Sequence, residues 1–180
     1  MMKLPGVVLL QSRYKSDERG YFLETYNRYV ARNAGVDVDF VRDVQSGSFK
    51  RGTVRGLHFQ APPRSQAKLV RVVRGRVYDV VVDLRVGSPT YGKWSSVELT
   101  SAGEQLFVPR GFAHGFCTLE VDTTVLYKLD EYYAPDLDQG LIWDDPTLAI
   151  KWPVLPAAAI ISDRDLGFGS FADFVSPFRY

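Results

Sequence analysis

At 180 residues and 46% hydrophobic composition, the chain is long enough to bury a sizeable core and too apolar to be disordered. Its 22 basic and 21 acidic residues leave a formal net charge of +1, which excludes the basic footprint of a nucleic-acid binder. One cysteine, Cys117, excludes an internal disulfide, and no apolar run is long enough for a signal peptide or a membrane span, so a cytoplasmic protein is expected.

In chain order, "VVLLQS" opens as a strand, "ERGYFLETY" reads as another, and "NRYVARNAGV" reads as a helix closed by Gly35. From there to about Lys128 strand follows strand: "FVRDVQSGSF", "GTVRGLHFQ", "AKLVRVV", "GRVYDVVVDLR", "GKWSSVELT", "EQLFVPRGFAHGF" and "TTVLYKLDEYY". The turn signals "APPRSQ", "VRG", "VGSPTYG", "TSAGE" and "LEVD" separate them. Many short, evenly spaced strands predict a sandwich or barrel rather than a βαβ fold. After Tyr133 the text turns loop-rich and ends in one or two short helical turns, and the closing "FADFVSPFRY" has no pattern that assigns it a role. With no linker, repeat or low-complexity stretch, residues 1–180 read as one domain.

The chain has only two histidines, His58 and His114, far apart in sequence and each without a second histidine nearby. Metal centres in β-barrels draw on two or three histidines plus a carboxylate, often as a local HxH pair, so metal chemistry is disfavoured. Cys117 in "HGFCTL" reads as a buried, inert thiol, and no nucleophile elbow or phosphate-cradling glycine loop is present. Proton transfer remains. A neutral histidine can take a proton from carbon beside a carbonyl if a cation stabilises the enolate, and a tyrosine can return one. His58, Lys68 and Tyr127 are candidate parts, though taken alone His58 reads as well as a satisfied core histidine, while a lysine in such a strand is more often solvated and a tyrosine more often packing. Arg55 and His58 are three positions apart and face opposite sides of a regular strand; a bulge at Gly56 would turn them to the same side.

The blocks "DERGYFLETYN", "GTVRGLHFQAPPRSQAKLVRVVRGRVYDVVVDLRVGSPTYGKW", "QLFVPRGFAHGFCTLE", "VLYKLDEYYAP", "WDDPTLAIKWP" and "ISDRD" occur in the order and spacing of one family. The chain resembles the dTDP-4-dehydrorhamnose 3,5-epimerases over roughly residues 5–166. The resemblance implies a mainly β, cupin-type jelly-roll barrel with a few short helices, no metal and no cofactor. It also implies a homodimer with exchanged N-terminal strands and a nucleotide-sugar substrate. Gly103, Pro109, Gly111 and His114 fit the second cupin motif, with Thr118 where that motif has asparagine, while the HxH of the first motif is absent.

By the same resemblance His58 is the general base, Asp165 its orienting carboxylate, Tyr127 the acid on the opposite face of the sugar and Lys68 the cation for the enolate oxygen. His114 lines the pocket, Arg19 and Arg55 hold the diphosphate, and thymine lies against Phe22 and Tyr133 with Glu24 accepting a hydrogen bond from the base. The implied reaction inverts C3 and C5 of a dTDP-linked 4-keto-6-deoxy-hexose; a one-carbon epimerase and a non-catalytic sugar-nucleotide binder are the alternatives. Two departures fall near the site. Arg42 replaces a usual glutamine, where its guanidinium can contact phosphate or sugar, and Val44 replaces a usual asparagine. Arg164 replaces the common lysine beside Asp165.

Overall fold

A computed structural model describes residues 3–180. Strands β1 (Val8–Gln11), β9 (Glu104–Val108), β6 (Lys68–Arg74), β11 (Thr123–Leu129) and β4 (Arg42–Ser48) form one five-stranded sheet in that spatial order. A second five-stranded sheet runs β12 (Asp138–Gly140), β5 (Val54–Gln60), β10 (Phe112–Thr118), β7 (Arg76–Asp83) and β8 (Trp94–Thr100). Neighbouring strands pair antiparallel throughout. The result is a mainly β jelly roll, a flattened form of the expected barrel in which the two sheets face one another without closing.

Alternation along the strands explains the stacking. Val70, Val72, Leu106, Val108 and Val125 of the first sheet meet Val77, Val81, Leu99, Phe112 and Phe116 of the second in one buried layer. The second sheet is covered on its outer side too. There Leu57, Phe59, Val80, Val82, Leu84 and Ala113 pack with Leu141, Leu148, Ile150 and Phe178. Burial on both faces is why β10 is buried along its whole length. The outer face of the first sheet is covered by the single-turn region of α1 (Arg28–Asn33), whose Ala31 packs with Leu69 and Phe107. Asn27 caps that helix by accepting hydrogen bonds from the Tyr29 and Val30 amides, at 3.0 and 3.2 Å.

The structure differs from the strand reading in three places. "ERGYFLETY" does hold a strand, Gly20–Leu23 (β3), but it pairs with a strand just before it that the reading left unassigned, Tyr14–Asp17 (β2), in a separate hairpin. "EQLFVPRGFAHGF" breaks into β9 and β10 at Pro109–Gly111, where Gly111 takes φ +88°. The loop-rich region contributes β12, which pairs with β5. The C-terminal tail gains a place as well: Phe178 joins the outer cluster of the second sheet, Phe171 and Phe174 pack on it, and Arg85 lies 4.8 Å from the Tyr180 ring centroid. Short helical elements occur at Pro135–Leu137, Pro156–Ala158 and α2 (Asp163–Leu166). Among the described residues no helix is long and apolar enough to cross a membrane.

Candidate active site

The decisive local feature is the bulge in β5. His114 pairs with His58 and Phe116 with Arg55, so three steps on β5 match two on β10. Val54 and Leu57 consequently both point to the outer clusters, and Arg55 and His58 both turn into the space between the sheets. Gly56 permits this. Its φ is +134°, and a Cβ there would lie 2.5 Å from the Cα of Gly115 on β10. The bulge expected at Gly56 is therefore present and does what was required of it.

His58 is partly exposed and rests edge-on against Phe168, 5.7 Å between centroids. Its Nε2 lies 2.9 Å from Asp165 Oδ1, while Asp165 Oδ2 accepts a hydrogen bond from the Gly56 amide at 3.1 Å. Burial pushes the Asp165 carboxyl up, but the hydrogen bond and charge of His58 and the Gly56 amide outweigh it and hold the carboxyl below its usual range. An ionised Asp165 fixes the Nε2–H tautomer, leaving Nδ1 as the basic nitrogen. α2 supplies the carboxylate because Ser162 caps it, accepting the Asp165 amide at 3.2 Å.

Beside His58 on the same face, His114 is buried and meets both carboxylate oxygens of buried Asp79, at 3.0 and 2.9 Å. The opposing sheet brings Tyr127 to this pair, its ring 6.2 Å from that of His114 and at 80° to it. The Tyr127 hydroxyl lies 3.5 Å from Ser46 Oγ on β4. Burial raises the phenol well above its usual range, so at neutral pH it is a proton-bearing acid. Lys68, also on the first sheet, donates to the His58 carbonyl at 3.2 Å. Burial lowers its ammonium to about 8, with the charges of Asp138 and Asp79 opposing the shift. Arg55 donates to Ser48 Oγ and the Gly47 carbonyl of β4, at 3.2 and 2.9 Å. His58, Tyr127, Lys68 and Arg55 thus share one space between two sheets.

At its rim stands Tyr133, whose hydroxyl donates to Asp138 Oδ2 at 2.8 Å. Arg42 lies 5.6 Å from the Tyr133 ring centroid, a cation–π contact, and among the described residues no acid pairs with it. Val44 pairs with Tyr127 across β4 and β11, placing an apolar side chain beside it. Arg164 pairs with Asp138 at 2.6 Å.

Three expected substrate contacts are not brought here within one chain. Phe22 and Glu24 line a cavity of about 490 Å³ with Leu10, Asn27 and Leu69, on the outer side of the first sheet. Arg19, on the same hairpin, is exposed and paired with Asp17 at 2.6 Å. Phe22 is 72% exposed. The sheet itself separates these residues from His58.

Sequence reading missed Asp79, Asp138, Ser46 and Phe168. Asp79 carried a signal: an acid at an inward position between Val77 and Val81. The others carried none, because only tertiary packing gives them partners. Cys117 is buried and its thiol is pushed up to about 11 by that burial, an inert group. Among the described residues no three His, Cys, Asp or Glu side chains are grouped to hold a metal ion.

The chain is similar to known proteins in sequence and in fold. The family model described as dTDP-4-dehydrorhamnose 3,5-epimerase matches residues 1–173. A dTDP-4-dehydrorhamnose 3,5-epimerase of Sinorhizobium fredii is 46% identical over 180 residues, covering 99% of this chain and 92% of that protein. The crystal structure of the Bacillus anthracis enzyme, with TDP and PPi bound, is 48% identical with a TM-score of 0.89, covering 92% of this chain and 94% of that one. A Legionella pneumophila dTDP-6-deoxy-D-glucose-3,5-epimerase in complex with dTDP-4-keto-L-rhamnose is 35% identical with a TM-score of 0.92, covering 99% and 96%. With a match spanning nearly its whole length and the bulged histidine strand at its centre, the chain belongs to the dTDP-4-dehydrorhamnose 3,5-epimerase family.

Proposed function

We propose that the chain inverts C3 and C5 of a dTDP-linked 4-keto-6-deoxy-hexose by acid–base proton transfer, without cofactor, in the cytoplasm. The observation that carries this is the placement of His58, held by Asp165 of α2, on one sheet and of Tyr127 on the facing sheet, with Lys68 of that facing sheet donating to the His58 carbonyl. The C4 ketone acidifies the hydrogens on its neighbours. His58, held by Asp165, removes each proton in turn, and the C–H electron pair moves into the enolate. The Lys68 ammonium stabilises the enolate oxygen, Tyr127 delivers a proton to the opposite face, and His114 lines the pocket beside them. Arg55 holds the diphosphate through charge-assisted hydrogen bonds. In heavy water the product is expected to carry deuterium at both C3 and C5, read by NMR. Label at C3 alone would replace this reading with a one-carbon epimerase; ligand binding without conversion would leave a non-catalytic binder.

Arg19, Phe22 and Glu24 serve the site of a second copy in this proposal, by exchange of the N-terminal strands in a homodimer. Their position across the sheet from His58 and the exposure of Phe22 support it. Co-expressed Arg19→Ala and His58→Asn chains, each impaired alone, are expected to recover activity at about a quarter of the sites, since each mixed dimer rebuilds one intact site. No recovery would count against exchange.

Lys68 adds a pH dependence. Its cationic form, the one that stabilises an enolate, is present below its value of about 8 and lost above it. A fall in kcat/KM is therefore expected as pH rises through about 8, and Lys68→Arg should move that fall upward. An alkaline limb unmoved by the arginine would assign it to another group.

A further inference from the structure

We propose that Asp138 is a positioning residue for the nucleotide: it fixes the Tyr133 ring as a preformed stacking wall, and Arg164 fixes Asp138. The inference deepens the functional reading above and rests on it. Tyr133 is 48% exposed, and an exposed aromatic ring would ordinarily sample several rotamers. Here it is tied at both ends. Gln60 brackets its backbone, donating to the Tyr132 carbonyl at 3.0 Å and accepting from the Ala134 amide at 2.9 Å. Asp138 Oδ2 takes its hydroxyl at 2.8 Å and Arg164 Nη2 at 2.6 Å.

The anchors are themselves rigid. Asp138 pairs with Gln60 across β12 and β5, and its side chain is only 15% exposed. Arg42 lies over the ring, so the wall is also backed by a cation. The same anchors reach the reacting centre. Arg164 lies over Phe168, 5.4 Å to the centroid, and Phe168 packs on His58. Arg164 also precedes Asp165 in α2, so one short helix supports both the nucleotide wall and the general base. Exposed ion pairs contribute little to stability by themselves. What this one supplies is order in a ring that binding would otherwise have to immobilise.

Titration calorimetry with thymidine diphosphate tests this, together with steady-state kinetics. Asp138→Ala is expected to weaken binding about 3- to 10-fold and raise KM in step. Because Asp138 also supports the Lys68 charge, kcat is compared well below pH 8, where Lys68 keeps its proton, and is expected to change less than KM. Asp138→Asn keeps an acceptor for the hydroxyl and is expected to restore most of the affinity. Tyr133→Phe is expected to lose as much as Asp138→Ala, and the double variant no more than either. Should Asp138→Ala fail to fold, the conservative Tyr133→Phe carries the test alone, because its loss of affinity is required. Wild-type affinity in these variants, or losses that multiply in the double variant, would overturn the inference. A wild-type chain that binds no thymidine diphosphate would instead overturn the functional reading, and the inference with it.

Discussion

Replacing His58 with asparagine is expected to lower kcat about 10²- to 10⁴-fold, the range for loss of a positioned general base. Asparagine retains a polar group that can hydrogen-bond Asp165, so the buried carboxylate is not stranded. Nor does the change touch the apolar cluster between the sheets, of which His58 is not a member. The fold and the affinity for thymidine diphosphate should therefore persist while turnover collapses. Kinetics beside titration calorimetry separate the two. Parallel loss of binding and turnover would make His58 a structural residue, and unchanged turnover would remove it from the mechanism.

The second large effect is expected of Tyr127→Phe. This change deletes one hydroxyl whose hydrogen-bond partner among the described residues is Ser46 at 3.5 Å, so stability should fall by less than about 1 kcal/mol. The phenol is held in its protonated form by burial, which suits it to give a proton to carbon. Without it, inversion is expected to slow about 10²-fold or more, as for loss of a general acid. The ring still packs against His114 and the core, which preserves the cavity's shape. Measured formation of the inverted sugar at the wild-type rate would assign the acid role to another group.

Much of this was readable before any coordinates. The strands from β4 to β11 follow the alternating pattern, because each buries at least one face in a continuous apolar layer. The conflict inside "TVRGLHFQ" was legible as well: a strand that must face Arg55 and His58 the same way needs an extra residue, and Gly56 is where backbone conformation allows it. Other parts carried no local signal. β12 is three residues long, too short for any period, and exists because Gly140 lets β5 and Phe168 approach; a Cβ there would sit 2.6 Å from the Leu57 carbonyl oxygen. The tail's phenylalanines pack on the outer face of the second sheet through Phe59 and one another, contacts between distant parts of the chain that no local period reports.

The placement of the site residues divides along the same line. His58, Arg55 and Lys68 lie on regular strands whose inward direction alternation determines once the bulge is recognised. Asp165 lies far along the chain from His58, and its approach depends on how α2 folds back over β5. Resemblance to a family supplied that pairing; periodicity had no means to. The N-terminal hairpin shows the limit from the other side. Arg19, Phe22 and Glu24 belong to matched motifs, yet motif order does not tell that in one chain they lie across a sheet from His58.

Solvent exchange into unreacted sugar tests the two-wall mechanism most directly. Recovered substrate, incubated in heavy water with each variant, is analysed for deuterium and for configuration at C3 and C5. With Tyr127→Phe, deprotonation survives, so label should enter while configuration is kept; with His58→Asn, no label should enter. Deuterium appearing at the wild-type rate in the absence of His58 would contradict the mechanism.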